Sequence, residues 1–388
     1  MKKLATLLLL FAASLQTLQA QKTQEGFSVS LSGLNAEQMR GYTFSIKWAD
    51  LIKKHPELKA DNFKVIDVQT EEEIPYQLEY RGQKSVQNLL VQLNPQADIL
   101  VHFIRLVPGQ AKAFPTKVYG RYVPERKDDF AWENDKVAFR MYGKALEATN
   151  ENAYGIDIWA KRTDSMVIDQ WYKSGDYHKD HGQGLDYYSV GYTLGGGDIA
   201  PFTGNKIHFP KNYRNWKVLD KGPIRFTFQL DYDEWDVAGR KVKVSKLISL
   251  DAGSQLNRVE ATFTFAGAEP LPVAIGIVKR KEPGHSVLSE TSGLMSYWEP
   301  AHGDDGTLGI AALLGDRPAM MSTSDTHLLI MASVQSGKPI VYYNGAAWSK
   351  AVAGRAGRRP IRWDASSWNM YLQNFAAARE KNVAIGIQ

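Results

Sequence analysis

The sequence predicts an all-β protein, a large sandwich of two extended antiparallel sheets preceded by a smaller β-module. Three observations lead there. Short segments alternating apolar and polar residues recur along the 388 residues. Clusters of Gly, Asn, Asp and Pro separate them at intervals suited to antiparallel meanders. Helical periodicity is confined to a few stretches.

In chain order, the first 20 residues read as a secretory signal. Lys2 and Lys3 form a basic start, residues 4–15 an apolar run, and Leu18-Gln19-Ala20 a cleavage site. That run is shorter than the roughly 20 residues needed to span a bilayer. The chain has no cysteine, so lipobox, disulfides and thiol nucleophile are excluded. The expectation is a periplasmic or secreted protein with no membrane span.

Strands are expected at residues 27–31, 42–46, 89–93, 99–106, 224–232, 242–250 and 258–265. Helices are expected at 48–55 and 367–380, the second placing Trp368, Tyr371, Leu372 and Phe375 on one face. Residues 27–119 are assigned to the N-terminal β-module, with 107–116 (VPGQAKAFPT) as linker, and residues 120–388 to the large sandwich. The net charge of +5 is spread along the chain, and the basic tract 355–362 (RAGRRPIR) reads chiefly as a solvated loop. Export argues against a nucleic-acid partner and leaves acidic polysaccharides open.

Titratable groups concentrate in residues 177–188 (YHKDHGQGLDYY), where Tyr177, His178, His181, Asp186 and Tyr188 lie on a glycine-punctuated loop. Imidazole and phenol groups suit proton transfer near neutrality. His178 and His181 also fit a metal-ligand spacing, but H-x-x-H with a carboxylate is unspecific. In residues 132–143, Val137, Phe139 and Met141 alternate as one buried face. The opposite face presents Lys136, Ala138, Arg140 and Tyr142. Arg140 is there the candidate clamp for a carboxylate, against the alternative of a structural ion pair. Residues 195–197 (GGG) read as a tight turn or an unobstructed backbone, without the lysine or helix of a phosphate loop. Eight of the tryptophans, residues 159, 171, 216, 235, 298, 348, 363 and 368, are divided between core filling and two or three groove positions, with Glu299, Asn212 and Arg214 as polar neighbours.

At residues 132–135 (WEND), 177–182 (YHKDHG), 222–225 (GPIR), 250–254 (LDAGS) and Asn257-Arg258, the chain resembles the secreted bacterial family labelled domain of unknown function 4861. The resemblance covers most of the chain. It implies a galactose mutarotase-like β-supersandwich and polysaccharide degradation. For at least one member it implies a dehydratase leaving a 4,5-unsaturated uronic acid on ulvan-type oligosaccharides. Residues 192–194 (YTL) depart from the more polar stretch expected there.

Site roles follow from the chemistry of that reaction. The C5 proton of a uronate becomes acidic only when the carboxylate is neutralised. Arg140 is the expected clamp with Arg214 as second candidate, His178 or His181 the base, and Tyr177 or Tyr188 the acid. Trp132, Glu133, Asn134 and Trp298 are expected at the substrate. No cofactor is expected, with a divalent metal as the open alternative. A hydrolase, a mutarotase or epimerase, and a non-catalytic glycan-binding protein remain alternatives.

Overall fold

The computed structural model describes residues 26–39, 41–95, 97–314, 318–353 and 361–388. The expected signal segment and most of the basic tract 355–362 lie outside the described residues.

The chain folds into antiparallel sheets arranged as an all-β sandwich with a smaller module against it. In the module, the strands Phe27–Ser32, Val101–Pro108 and Phe63–Asp67 form one sheet, and Thr43–Lys47, Asn88–Gln92 and Tyr76–Glu79 another. Alternation points Val29, Leu31, Phe44, Ile46, Val65, Leu89, Val91 and Ile104 into a shared core. The helix Trp48–Lys54 closes one side.

Two assignments from the sequence are corrected. The strand Val118–Val123 pairs with Asp129–Asn134 in the large sandwich, so the division at residue 119 falls inside a strand. The final strand, Ala384–Ile387, pairs with Phe27–Ser32 and extends the N-terminal sheet. The first and last described strands therefore lie side by side in the small module.

One layer of the large sandwich is a nine-stranded sheet. Its central order runs Asn215–Asp220, Arg225–Asp231, Arg240–Asp251, Leu256–Phe265, Pro339–Trp348, Leu308–Leu313 and Leu294–Trp298. Two five-stranded sheets face it, one containing Asp129–Asn134, Ala138–Met141 and Asp157–Lys161, the other Gly196–Thr203, Leu271–Val278 and His327–Val334. Ile156 and Gly195 join these two by a parallel bridge. Between the layers, Phe228 lies 4.9 Å from Trp132 and 4.3 Å from Phe130 by ring centroid. The outer face of the nine-stranded sheet is partly covered by the helix Ala365–Glu380. Asp364 caps it in a reciprocal pair with Ser367, and Trp368 and Leu372 are buried beneath it.

The glycine triplet is not a simple turn. Gly196 and Gly197 begin the strand Gly196–Thr203, with a bulge before Asp198. Gly197 has φ +104°, and a Cβ there would come within 2.7 Å of the Asn344 Cβ on the opposite sheet. Gly197→Ala should therefore cost about 1–3 kcal/mol from backbone conformation alone, read as a lower urea midpoint. An unchanged midpoint would show that the sheets accommodate the methyl group.

Candidate functional site

A cavity of about 410 Å³ opens between the N-terminal module, the outer face of the nine-stranded sheet and the C-terminal helix and strand. Its size suits a small saccharide or similar ligand. Four guanidiniums line it: Arg81, Arg225, Arg258 and Arg379. Tyr42, Phe44, Tyr343 and Phe375 supply its rings.

The sheet floor is set by register. Thr227, Ser249, Arg258 and Tyr343 are cross-strand partners on four successive strands, so their side chains line up across one face. Arg225 opposes Asp251 on the same face. Its guanidinium donates to both Asp251 oxygens at 2.5 and 2.7 Å and to Glu79 of the N-terminal module at 2.9 Å. Burial alone would raise the Asp251 carboxyl, but Arg225 holds it below the usual carboxylate range. Glu79 accepts a further bond from Asn88 at 2.6 Å. Both carboxylates are thus committed to fixed donors.

The other end is arranged differently. Arg81 reaches Glu260 at 2.5 Å, and Arg258 bonds the same carboxylate oxygen. Burial opposes the Glu260 charge, but the two arginines keep its carboxyl below the ordinary range. Arg81 has φ +51°, with its own N–H and that of Tyr80 donating to Asp220 at 2.8 and 2.6 Å. Arg379 stacks on Tyr42 and Phe375 at 4.6 Å and on Tyr343 at 5.4 Å, and its buried Nε has no hydrogen-bond partner.

Most of the segments that carry the family resemblance meet at this cleft. Trp132 Nε1 donates to Asn257 at 2.8 Å. Asn134 donates to the carbonyls of Asp251 and Ser254 at 2.6 and 2.7 Å, and Asp135 accepts from the Gly253 amide at 2.6 Å. These bonds fix the turn that carries Asp251, while Arg225 and Arg258 enter the cavity themselves.

Several residues proposed from the sequence are placed elsewhere. Arg140 is buried and bonds Asp157 at 2.6 Å and Asp186 at 3.0 Å, with Asp129 at 3.8 Å, so its charge is already engaged. The face it shares with Ala138 is not open. The helix Ile168–Ser174 and the loop behind it cover that face, packing Trp171 and Tyr177 against Trp159. Arg214 is held by Glu147 and Asp233. Trp132 is fully buried and cannot stack on a sugar. Glu133 is buried too, pairing with Lys161 at 2.7 Å and accepting from the amides of Val167 and Ile168. Asn134 is a buried turn clamp, as described above. Trp298 is half-buried against the core. Among the described residues, no tryptophan lines the cleft.

Within the loop 177–188, His178 is exposed, its Nδ1 2.8 Å from the Asp186 carbonyl. His181 is exposed beside Asp176 at 3.1 Å. Tyr177 is buried and accepts from Arg126 at 3.3 Å. Tyr188 is buried with Arg280 4.5 Å over its ring, and Arg280 pairs with Glu299 at 2.6 Å. The structure brings Tyr177, His178, Asp186 and Arg140 together, but none of them lines the cleft. The two histidines face different partners rather than a common metal position.

The cleft residues missed by sequence reasoning are Arg81, Arg379, Tyr42 and Tyr343. Arg225, Asp251 and Arg258 stand within the motifs already singled out, and these were the available signal.

Fold and cleft together define an all-β, two-module protein of sandwich architecture with a cationic, aromatic-walled cavity at the module junction. The chain belongs to the family described as domain of unknown function (DUF4861), whose model matches residues 36–385. It is 30% identical to Uncharacterized protein P7 of Formosa agariphila over 367 residues, 89% of each chain. Among solved structures it is similar in fold to a protein in the glycosyl hydrolase family 38 from Enterococcus faecalis, with TM-score 0.52, 9% identity and 94% of this chain covered. An alpha-mannosidase from Enterococcus faecalis V583 matches at TM-score 0.45 and 9% identity, again over 94% of this chain. The chain spans about half the length of these two structures, 47% and 46%.

Away from the cleft, burial raises the carboxyls of Asp129 and Glu299 to about 7, against the attraction of Arg140 and Arg280 respectively. Their folded values lie above the unfolded ones near 4, so the folded state binds these protons more tightly. The stability they contribute is complete below about pH 4 and is lost as pH rises through about 7. Asp129→Asn should therefore shrink the fall in melting temperature between about pH 5 and pH 8. An identical fall in variant and wild type would show that Asp129 does not titrate there.

Proposed function

We propose that the protein is a carbon–oxygen lyase, a dehydratase acting on the non-reducing-end uronic acid of acidic oligosaccharides, with its chemistry in the inter-module cleft. The observation that carries this reading is the cross-strand pair Arg258 and Tyr343, a guanidinium beside a phenol on the cavity floor. A guanidinium against the uronate carboxylate neutralises it and acidifies the C5 hydrogen. Tyr343, entering the step as the phenolate, takes that proton and becomes the neutral phenol, the C5–H electron pair forms the C4=C5 bond, and the C4–O4 bond breaks. Tyr42, from the opposite wall, protonates the departing oxygen, which leaves as water.

The engagement of Glu79 and Asp251 by Arg225 disfavours a hydrolase, which needs one carboxyl able to donate a proton and another free to attack or activate water. The glycosyl hydrolase family 38 description of a protein with similar fold fits a saccharide ligand.

Incubation with uronate-ended oligosaccharides should generate new ultraviolet absorbance and a mass loss of one water. Tyr343→Phe and Arg258→Gln should each lower that rate by about 100-fold or more with an unchanged melting temperature. His178→Ala should keep most of it, because His178 lies outside the cleft. Reducing sugar without absorbance would identify a hydrolase instead, and loss of activity in His178→Ala alone would move the chemistry to the loop 177–188.

A further inference from the structure

One of the four guanidiniums of the cleft has no ion pair among the described residues, and its position is defined. Arg225 lies between Glu79 and Asp251, while Arg81 and Arg258 share Glu260. Three carboxylates thus pair three guanidiniums, while the buried Asp220 carboxylate beside them accepts only from the backbone of Tyr80 and Arg81. Among the described residues, no carboxylate is ion-paired with Arg379. The rings of Tyr42, Phe375 and Tyr343 lie over it, the Asp251 carboxylate is near enough to feel its charge without pairing with it, and its buried Nε lacks a partner. Rings stabilise a guanidinium through their faces but leave its in-plane N–H donors unfilled. A buried donor without an acceptor is costly, and an incoming oxyanion would remove that cost.

A cavity of about 410 Å³ is no wider than roughly one Debye length, so these charges act on a ligand together. One added carboxylate fills the single unpaired guanidinium, whereas a second anionic group meets only arginines already paired, with the Asp220 carboxylate close by.

We propose that Arg379 is the anion anchor of the cleft and that the cleft selects a saccharide unit carrying a single negative charge, an unsulfated uronate. This rests on the uronate reading of the same cavity and narrows it. Arg379 acts as a binding residue from the C-terminal helix. It holds the carboxylate above the Tyr343 ring, next to the strand position of Arg258, and so presents C5 to the phenol.

The test uses the whole protein and three probes in calorimetric titrations: glucose, glucuronate and a sulfated glucuronate. Glucuronate should bind about tenfold or more tightly than glucose, and the sulfated probe no more tightly than glucuronate. Arg379→Gln should bring the glucuronate-to-glucose affinity ratio close to one at an unchanged melting temperature. Arg379→Lys, which keeps the charge but loses the fork, should retain part of the preference. Tenfold tighter binding of the doubly charged probe overturns the single-charge claim. A full glucuronate preference in Arg379→Gln overturns the anchor, and so does failure of every probe to bind. If wild-type protein shows the Arg379-dependent preference yet forms no unsaturated product from uronate-ended oligosaccharides, the lyase reading falls and the anchor stands. If product forms while the preference ignores Arg379, the reverse holds.

Discussion

A desolvated guanidinium cannot remain without acceptors, and Arg225 meets that requirement with one carboxylate from each module. Asp251 comes from the neighbouring strand and Glu79 from the N-terminal sheet. Removing either partner would leave a buried charge exposed to its full desolvation penalty, typically several kcal/mol. The triad therefore fixes how the small module sits on the large sheet, and the cavity exists only because that placement is fixed. Gln77 reinforces it by bonding the backbone of Ile224 and Arg225.

The same placement gives the cleft its polarity. At the Arg225 end the carboxylates are saturated and the donors directed inward to protein. At the other end two arginines share one carboxylate, and Arg379, on the helix side, has rings over it and no ion pair among the described residues. Field and shape thus favour a ligand with one anionic end and one hydroxyl-bearing end. The rings of Tyr42, Tyr343 and Phe375 offer apolar surface beside that charge, a combination suited to a sugar acid.

The buried ion pairs behind the cleft serve a different purpose. Lys161–Glu133, Lys246–Asp198 and Arg140 with its aspartates lie within the sandwich or under the loop 167–188. Such pairs add little net stability over apolar packing but penalise misregistered arrangements that would leave one charge alone. Glu133 illustrates this, tying one strand to Lys161 and to the start of the helix Ile168–Ser174.

Sequence alone determined the β class, the position of most strands it marked, and the helices Trp48–Lys54 and Ala365–Glu380, because period-2 and period-3.6 patterns are local consequences of burial on one face. The segments carrying Arg225, Asp251 and Arg258 were legible too. Their assembly was not. Arg140 and Arg258 both alternate correctly on a strand, and only the covering element tells them apart: a helix and loop bury the first, while a gap between modules exposes the second. Tyr42, Arg81, Tyr343 and Arg379 lie far apart in the chain. They converge because the C-terminal strand returns to the first sheet, a long-range pairing that no local pattern encodes.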